Sequence, residues 1–322
     1  MNLDITLSDL RMAQTMLAPY IITTPVLEAP SLLTPGGHSI LLKAENLQRS
    51  GSFKMRGASY GIAQLTQEQR RRGIIAYSTG NHAQAVALAA QFQQIPATIV
   101  MSPDAPALKV ERTRKSGATI VWAEPMSQAR RDLAEKLAEE HQLTLIPPYD
   151  HRDILLGQGT IGLEIMERCA PAAVFVPIGG GGLIAGIALA IKFVNPSIQI
   201  IGVEPEWEND AWQSFTQGKL VRLPAASKSI ADAIRVQAVG ELPYVVLRRY
   251  VDEIVTVSET QIATATLSAL AETHLVLEPA GAVALAAARS YQGSLPAGKP
   301  VVAIASGGNT TLETLWSLTT MQ

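Results

Sequence analysis

The stretch GSFKMRGA, residues 51–58, sets Lys54 between an aromatic ring and a glycine-containing turn, in a region otherwise poor in charge. Given a ligand, such an amine is a nucleophile or a base. Without one it is a surface lysine opening the amphipathic helix that MRGASYGIAQL can form. The run Gly179, Gly180, Gly181 and Gly182 follows an apolar strand pattern and precedes a helical one, exposing backbone N–H groups at the positive end of a helix. That is a cradle for phosphate; a tight turn also calls for glycine, but rarely for four in a row. STGNH, which is Ser78, Thr79, Gly80, Asn81 and His82, again lies between strand and helix and offers hydroxyls and N–H groups to a carboxylate. A helix cap by Ser78 or Thr79 explains the same letters. SGGN at 306–309 puts Ser306 where a hydroxyl meets a ligand ring or an ordinary turn begins. Glu278 in EPAGA precedes an alanine-rich helix, where capping is the default. In EPEWEND, Glu204 and Asp210 stand six residues apart after a strand, a spacing that suits Mg²⁺ or Ca²⁺ and equally a solvated acidic loop.

These clusters need elements to position them. Short apolar or β-branched runs alternate with helical patterns: GIIAYST, ATIVMS, ATIVWAE, LTLIPPY, AVFVPIG, IQIIGVE, EIVTVS and VVAIASGG. The alternation predicts an α/β fold of mainly parallel sheets with crossover helices, and such sheets bind ligands beyond the carboxyl ends of their strands. Nearly every run ends in a small or polar cluster, so the site is expected at the strand ends. Residues 75–149 read as a small domain inserted into a large one made of 1–74 and 150–322.

Composition narrows the partners. With 26 basic and 28 acidic residues in no long block of one sign, the chain has no electrostatic footprint for nucleic acid or an anionic membrane, which leaves a small molecule. The single cysteine, Cys169, excludes an internal disulfide and a CxxC metal site, and MNLDITLSDLRMAQ lacks a signal peptide's regions, so a cytoplasmic protein is expected. VFVPIGGGGLIAGIALAI, residues 174–191, is uncharged, but Pro177 and four glycines favour a strand, a loop and a helix over a membrane span.

The glycine run also fits G-x-G-x-x-A through Gly180, Gly182 and Ala185, with Glu204 where a ribose acid would sit. A nicotinamide dehydrogenase is therefore one reading, but it leaves the other clusters without a purpose. Jointly they describe a single ligand: a phosphate for the glycines, a carboxylate for STGNH, a heteroaromatic ring for Ser306 and an amine-reactive group for Lys54. Pyridoxal phosphate carrying an amino acid fits all four. At these residues the chain resembles the fold-type II pyridoxal-phosphate enzymes (tryptophan synthase β-like), in the branch of serine/threonine dehydratases and serine racemases. ENLQRSGSFKMRGA, STGNHAQAVA, GQGTIGLEI, PIGGGGLIAGIA, SIADAI, VDEIVTVSE, EPAGAVALAA and SGGNTT occur in family order across nearly the whole chain.

The resemblance implies that Lys54 is the Schiff-base lysine and that Phe53 packs on the cofactor ring. It has Asn81 bond the phenolic oxygen, Gly179 to Gly182 hold the phosphate, Glu278 belong to the cofactor site and Ser306 face the pyridine nitrogen. It places the substrate carboxylate on Ser78 to His82, and a cation on Glu204, Asp210 and the backbone carbonyl of Glu208. The implied reaction is dehydrating deamination of a hydroxyamino acid of the L-threonine or L-serine type, with racemisation as the alternative and a non-catalytic amino-acid-binding relative as another. Relatives imply a homodimer.

Two departures bear on substrate. Thr79 stands where many of these dehydratases have alanine and where serine racemases have a proton-delivering serine. Ala233 in SIADAI replaces a usual glycine, which would narrow the pocket. STGNH and PPYDH also resemble dehydratases of hydroxyectoine breakdown. The 13 residues after Asn309 leave no room for a C-terminal regulatory domain, so feedback control by a branched-chain amino acid is not expected.

Overall fold

The computed structural model describes residues 4–224 and 228–321; the first three residues of the amino-terminal stretch lie outside them. Among the described residues, ten strands form two sheets. The larger contains β1 (Val26–Leu33), β2 (Ser39–Ala44), β7 (Ala173–Pro177), β8 (Gln199–Pro205), β9 (Glu253–Val257) and β10 (Val301–Ala305), in the order β1-β2-β10-β7-β8-β9. All its pairings are parallel except β1 with β2. The smaller contains β3 (Ile74–Tyr77), β4 (Ala97–Met101), β5 (Thr119–Trp122) and β6 (Thr144–Leu145), parallel throughout in the order β5-β4-β3-β6.

All eight runs read from the sequence are strands, though LTLIPPY keeps only two strand residues because Pro147 and Pro148 have no N–H for a ladder. The two strands not anticipated are β1 and β2. β1 contains Pro30 and breaks register between Glu28 and Leu33, which an edge strand tolerates and a central one does not. The uncharged stretch at 174–191 divides into β7, a glycine loop and the 13-residue helix Gly182–Val194. No helix among the described residues is long and apolar enough to cross a membrane.

The helix that begins at Lys54, Lys54–Ala63, packs on the helix Arg152–Arg168 at unusually short range. A Cβ on Gly157 would come within 2.6 Å of the Gly57 Cα and 2.8 Å of the Arg56 carbonyl oxygen, so glycine permits the contact. Beneath it lies a buried charge network. The Arg56 guanidinium donates to Glu45 at 2.8 Å through Nε and again through Nη2, to Glu164 at 2.6 and 2.9 Å, and to Thr160 at 3.0 Å. Lys43 adds a 2.5 Å contact to Glu164 and donates to the Thr24 carbonyl at 2.6 Å. Lys43, Glu45 and Arg56 are fully buried, so the network joins β2, the Lys54 helix and Arg152–Arg168 without water.

Candidate active site

Lys54 is held against the end of β10. Ser52 forms a bridge with Gly307, and the Phe53 N–H donates to the Ser306 carbonyl at 3.1 Å. The Lys54 Nζ lies 5.1 Å from the Phe53 ring centre and donates to the Pro148 carbonyl at 2.6 Å. Burial pulls its ammonium down to about 8. His82 is buried on the same side, its Nε2 2.9 Å from the Ile146 carbonyl. Burial and, after it, the charge of Lys54 push His82 down to about 3, so the imidazole is neutral and carries its proton on Nε2 to meet that carbonyl.

The loop Ser78–His82 leaves β3 and opens the helix Asn81–Phe92. Neither hydroxyl caps it: Gly80 is the cap residue, and Ser78 Oγ accepts from the Gly80 N–H at 3.1 Å. Thr79 is half-buried. Asn81 Nδ2 donates to Glu278 Oε1 at 2.5 Å, and Asn81 Oδ1 accepts from Asn309 Nδ2 at 2.9 Å. Glu278 does precede the helix Pro279–Ser290 but makes no capping bond; its carboxylate turns to Asn81 instead. Burial raises Glu278 to about 7 against the pull of Lys109, whose Nζ is 4.0 Å from Oε2, an oxygen with no hydrogen bond. Ser306 is buried beside them, its Oγ 3.4 Å from the Ala280 carbonyl.

The four glycines form a bare backbone turn. Gly181 has φ +85°, a left-handed conformation, and a Cβ there would meet Val239 and Pro243. A Cβ on Gly180 would fall on the Tyr149 ring and one on Gly179 on Ile234. Ile234, not Ala233, therefore touches the loop; Ala233 is exposed. Pro148 and Tyr149 are adjacent, so one segment contacts both Lys54 and the glycine loop.

The acidic cluster is a separate feature. Glu204, at the end of β8, accepts from the N–H groups of Ala211 at 3.1 Å and Trp212 at 2.7 Å, so its oxygens serve a helix N-terminus. Asp210 opens that helix, and Glu208 lies just before it; all three are buried. Neither Asp210 oxygen nor Glu208 Oε2 has a hydrogen bond of good geometry, although the backbone of Val239 is near Asp210 and that of Val236 near Glu208. Burial raises Glu204 well above its ordinary range, reinforced by Asp210, and raises Glu208 and Asp210 to about 7. Orphaned buried carboxylate oxygens fit a cation, although no group of three or more His, Cys, Asp or Glu side chains among the described residues is arranged to hold one.

The structure thus brings Phe53, Lys54, Asn81, His82, Glu278 and Ser306 together. Residues not singled out from the sequence complete the surroundings: Pro148 on Lys54, Lys109 beside Glu278, and Asn309 on Asn81. Asn309 lay in plain view at the end of SGGN.

Fold and site have the parts of an α/β enzyme that takes a phosphate-bearing, amine-reactive ligand where residues from both sheets meet. Residues 17–307 match the family of pyridoxal-phosphate dependent enzymes, and the chain belongs to it. It is 42% identical over 296 residues to an L-threo-3-hydroxyaspartate ammonia-lyase from Pseudomonas sp., covering 92% of each chain. It is 42% identical over 306 residues to an L-threonine ammonia-lyase from Thermotoga maritima, covering 95% of this chain and 76% of that one. The solved structure of maize serine racemase superposes with a TM-score of 0.92 at 39% identity, over 98% of this chain and 96% of that one. The nicotinamide reading gives way with this membership, and Glu204 is in any case engaged by Ala211 and Trp212.

Proposed function

We propose that the chain is a pyridoxal-phosphate dependent ammonia-lyase that converts a hydroxyamino acid to a 2-oxo acid and ammonia. The observation that carries this reading is Lys54: a partly buried amine, lowered to about 8, beside the Phe53 ring and one residue-pair away from a bare glycine cradle. The cradle, the amine and the Glu278 oxygen that has no hydrogen bond suit the cofactor. When bound, pyridoxal phosphate supplies an aldehyde that captures the substrate amine and a ring that acidifies the α-proton. Gly179 to Gly182 would hold its phosphate, Phe53 and Glu278 would line its ring, Asn81 would bond its phenolic oxygen, and Ser306 would face its pyridine nitrogen. The neutral hydroxyl of Ser306, unlike a carboxylate, would not favour a protonated ring nitrogen, which suits elimination.

The chain's own residues then perform the remaining work. Ser78 to His82 receive the substrate carboxylate on N–H groups at a helix N-terminus. Lys54, lowered by burial toward neutral pH so that more of it is free amine than for an ordinary lysine, takes the α-proton. Thr79 offers a hydroxyl toward the opposite face, and the likeness to maize serine racemase supports racemisation as a second activity. Glu204, Asp210 and the carbonyl of Glu208 hold Mg²⁺ or Ca²⁺ together with water or further backbone oxygens. The fuller reading is a cytoplasmic homodimer with a small domain at 75–149 inserted between 1–74 and 150–322.

The test is direct. Purified protein is expected to be yellow, and borohydride is expected to fix the cofactor to the peptide containing Lys54. L-threonine, L-serine and L-threo-3-hydroxyaspartate are then assayed for ammonia and 2-oxo acid, which Lys54→Ala should abolish. A colourless protein, or one that releases ammonia from none of the three, overturns the reading.

A further inference from the structure

An asparagine amide has an acceptor at one end and two donors at the other, so which end faces a ligand is set by its neighbours. Two neighbours of Asn309 leave no choice. Its Nδ2 donates to the Ser50 carbonyl at 2.9 Å, and a carbonyl only accepts. Its Oδ1 accepts from Arg112 Nη1 at 2.5 Å, and a guanidinium only donates. The place for this side chain is built: Gly51 has φ +73°, and a Cβ there would fall on the Asn309 amide.

With Asn309 fixed, the second Nδ2 proton reaches Asn81 Oδ1 at 2.9 Å. Asn81 must then turn its own Nδ2 the other way, where it donates to the Glu278 carboxylate at 2.5 Å. One N–H of that amide remains for a ligand. The chain of bonds runs from a group that can only donate, Arg112, to one placed to accept, Glu278, and every amide between them points the same way. Both ends return to one helix, Ala107–Lys115, which also carries Lys109 beside Glu278.

We propose that Arg112 and Asn309 are positioning residues that hold the Asn81 amide with its NH₂ group, and not its oxygen, toward the phenolic oxygen of pyridoxal phosphate. This rests on the reading of Asn81 given under the proposed function. A donor at that oxygen favours its anionic form, which strengthens cofactor binding and the visible absorption of the loaded protein.

Asn309→Asp keeps the shape and removes both donors. Asn81 must then give its NH₂ to residue 309 and present its oxygen to the cofactor and to Glu278. The expected result is pyridoxal phosphate binding weaker by about tenfold or more, the loss of one hydrogen bond to a charged group. The visible band should fall as a near-ultraviolet band rises. Arg112→Met, at an exposed position, should shift both readouts in the same direction by a few-fold, and Arg112→Lys should restore them. Asn81→Ala separates the two layers: if it changes neither affinity nor spectrum, the reading of Asn81 is wrong. If Asn81→Ala acts while Asn309→Asp and Arg112→Met keep the wild-type affinity and spectrum, the positioning role is overturned, even where melting temperature drops. Should Asn309→Asp fail to fold, the Arg112 pair decides by the same two readouts.

Discussion

Replacing Arg56 with methionine tests the buried network on which the Lys54 helix stands. In the native protein two carboxylates, Glu45 and Glu164, face two cations, Arg56 and Lys43, with water excluded. Methionine fills most of the volume but leaves two carboxylates to share one cation, and Lys43 hydrogen-bonds Glu164 and acts on Glu45 by charge alone. Breaking a buried pair from one side costs about 3–5 kcal/mol. Unfolding entropy near 2.1 cal/mol/K per residue gives this 322-residue chain about 0.7 kcal/mol per degree, so the melting temperature should drop by about 4–7 °C.

The pH dependence gives the sharper check because its sign reverses. Burial raises Glu45 in the native protein, but the charge and hydrogen bonds of Arg56 outweigh it, and the net shift is below the ordinary 4.5. Native Glu45 therefore contributes stability that is present above its unfolded value and lost as pH falls through the lowered one. Without Arg56 the burial is opposed mainly by Lys43, and Glu45 moves above 4.5. The folded variant then binds a proton that the unfolded chain has released, so stability declines as pH rises through the window above 4.5. Melting curves of both proteins at about pH 5 and about pH 8 are expected to differ more at the higher pH. A second change, Glu45→Gln, should recover part of the loss at about pH 8 by removing the orphaned charge. A drop under about 1 °C, or one independent of pH, would refute the account of the network.

Two further outcomes follow from the site. Chelation should lower the melting temperature, and Mg²⁺ or Ca²⁺ at a hundred times its Kd should restore about 2.7 kcal/mol, or about 4 °C; the response should vanish in Glu204→Ala/Asp210→Ala, and an unchanged response in that variant sinks the cation site. Thr79→Ala should keep 2-oxo acid formation and remove any D-amino acid, while Thr79→Ser, freed of the methyl that restricts χ1, should raise D-amino acid; wild-type protein that forms mostly D-amino acid reverses the ranking of the two activities.

Elements whose signal is local were legible in the sequence, and those whose signal depends on partners were not. Strands β3 to β10 announce themselves as apolar runs, continuous where the strand is buried on both faces, as in β7 and β10. β1 and β2 do not: β1 carries Glu28 and Pro30 on an edge, and β2 carries Lys43, whose burial makes sense only once Glu164 arrives from 121 residues away. Glu278 shows the same limit at the site. Before a helix, a glutamate reads as a cap, yet its carboxylate is claimed by Asn81, 197 residues earlier in the chain. Asn309 reads from the sequence as an ordinary turn signal after two glycines, and only the fold shows its bonds to Ser50, Asn81 and Arg112.

The distribution of charge is the part of the site that no motif encodes. Glu278 is an acidic group of the candidate site, yet the hydrogen-bond partner of Lys54 is a carbonyl and Lys54 stands beside the Phe53 ring. Burial alone sets its pKa, and an amine at about 8 is a usable base near neutral pH. Had Glu278 turned toward Lys54, an opposite charge at contact distance would have held the ammonium protonated. Glu278 is instead bonded to Asn81, with Lys109 beside it and Asp232 on Lys109. His82, next to Lys54, is kept neutral at about 3 and adds no competing proton. Burial and the absence of a contacting carboxylate, with Glu278 bonded to Asn81, are what leave the Lys54 amine lowered.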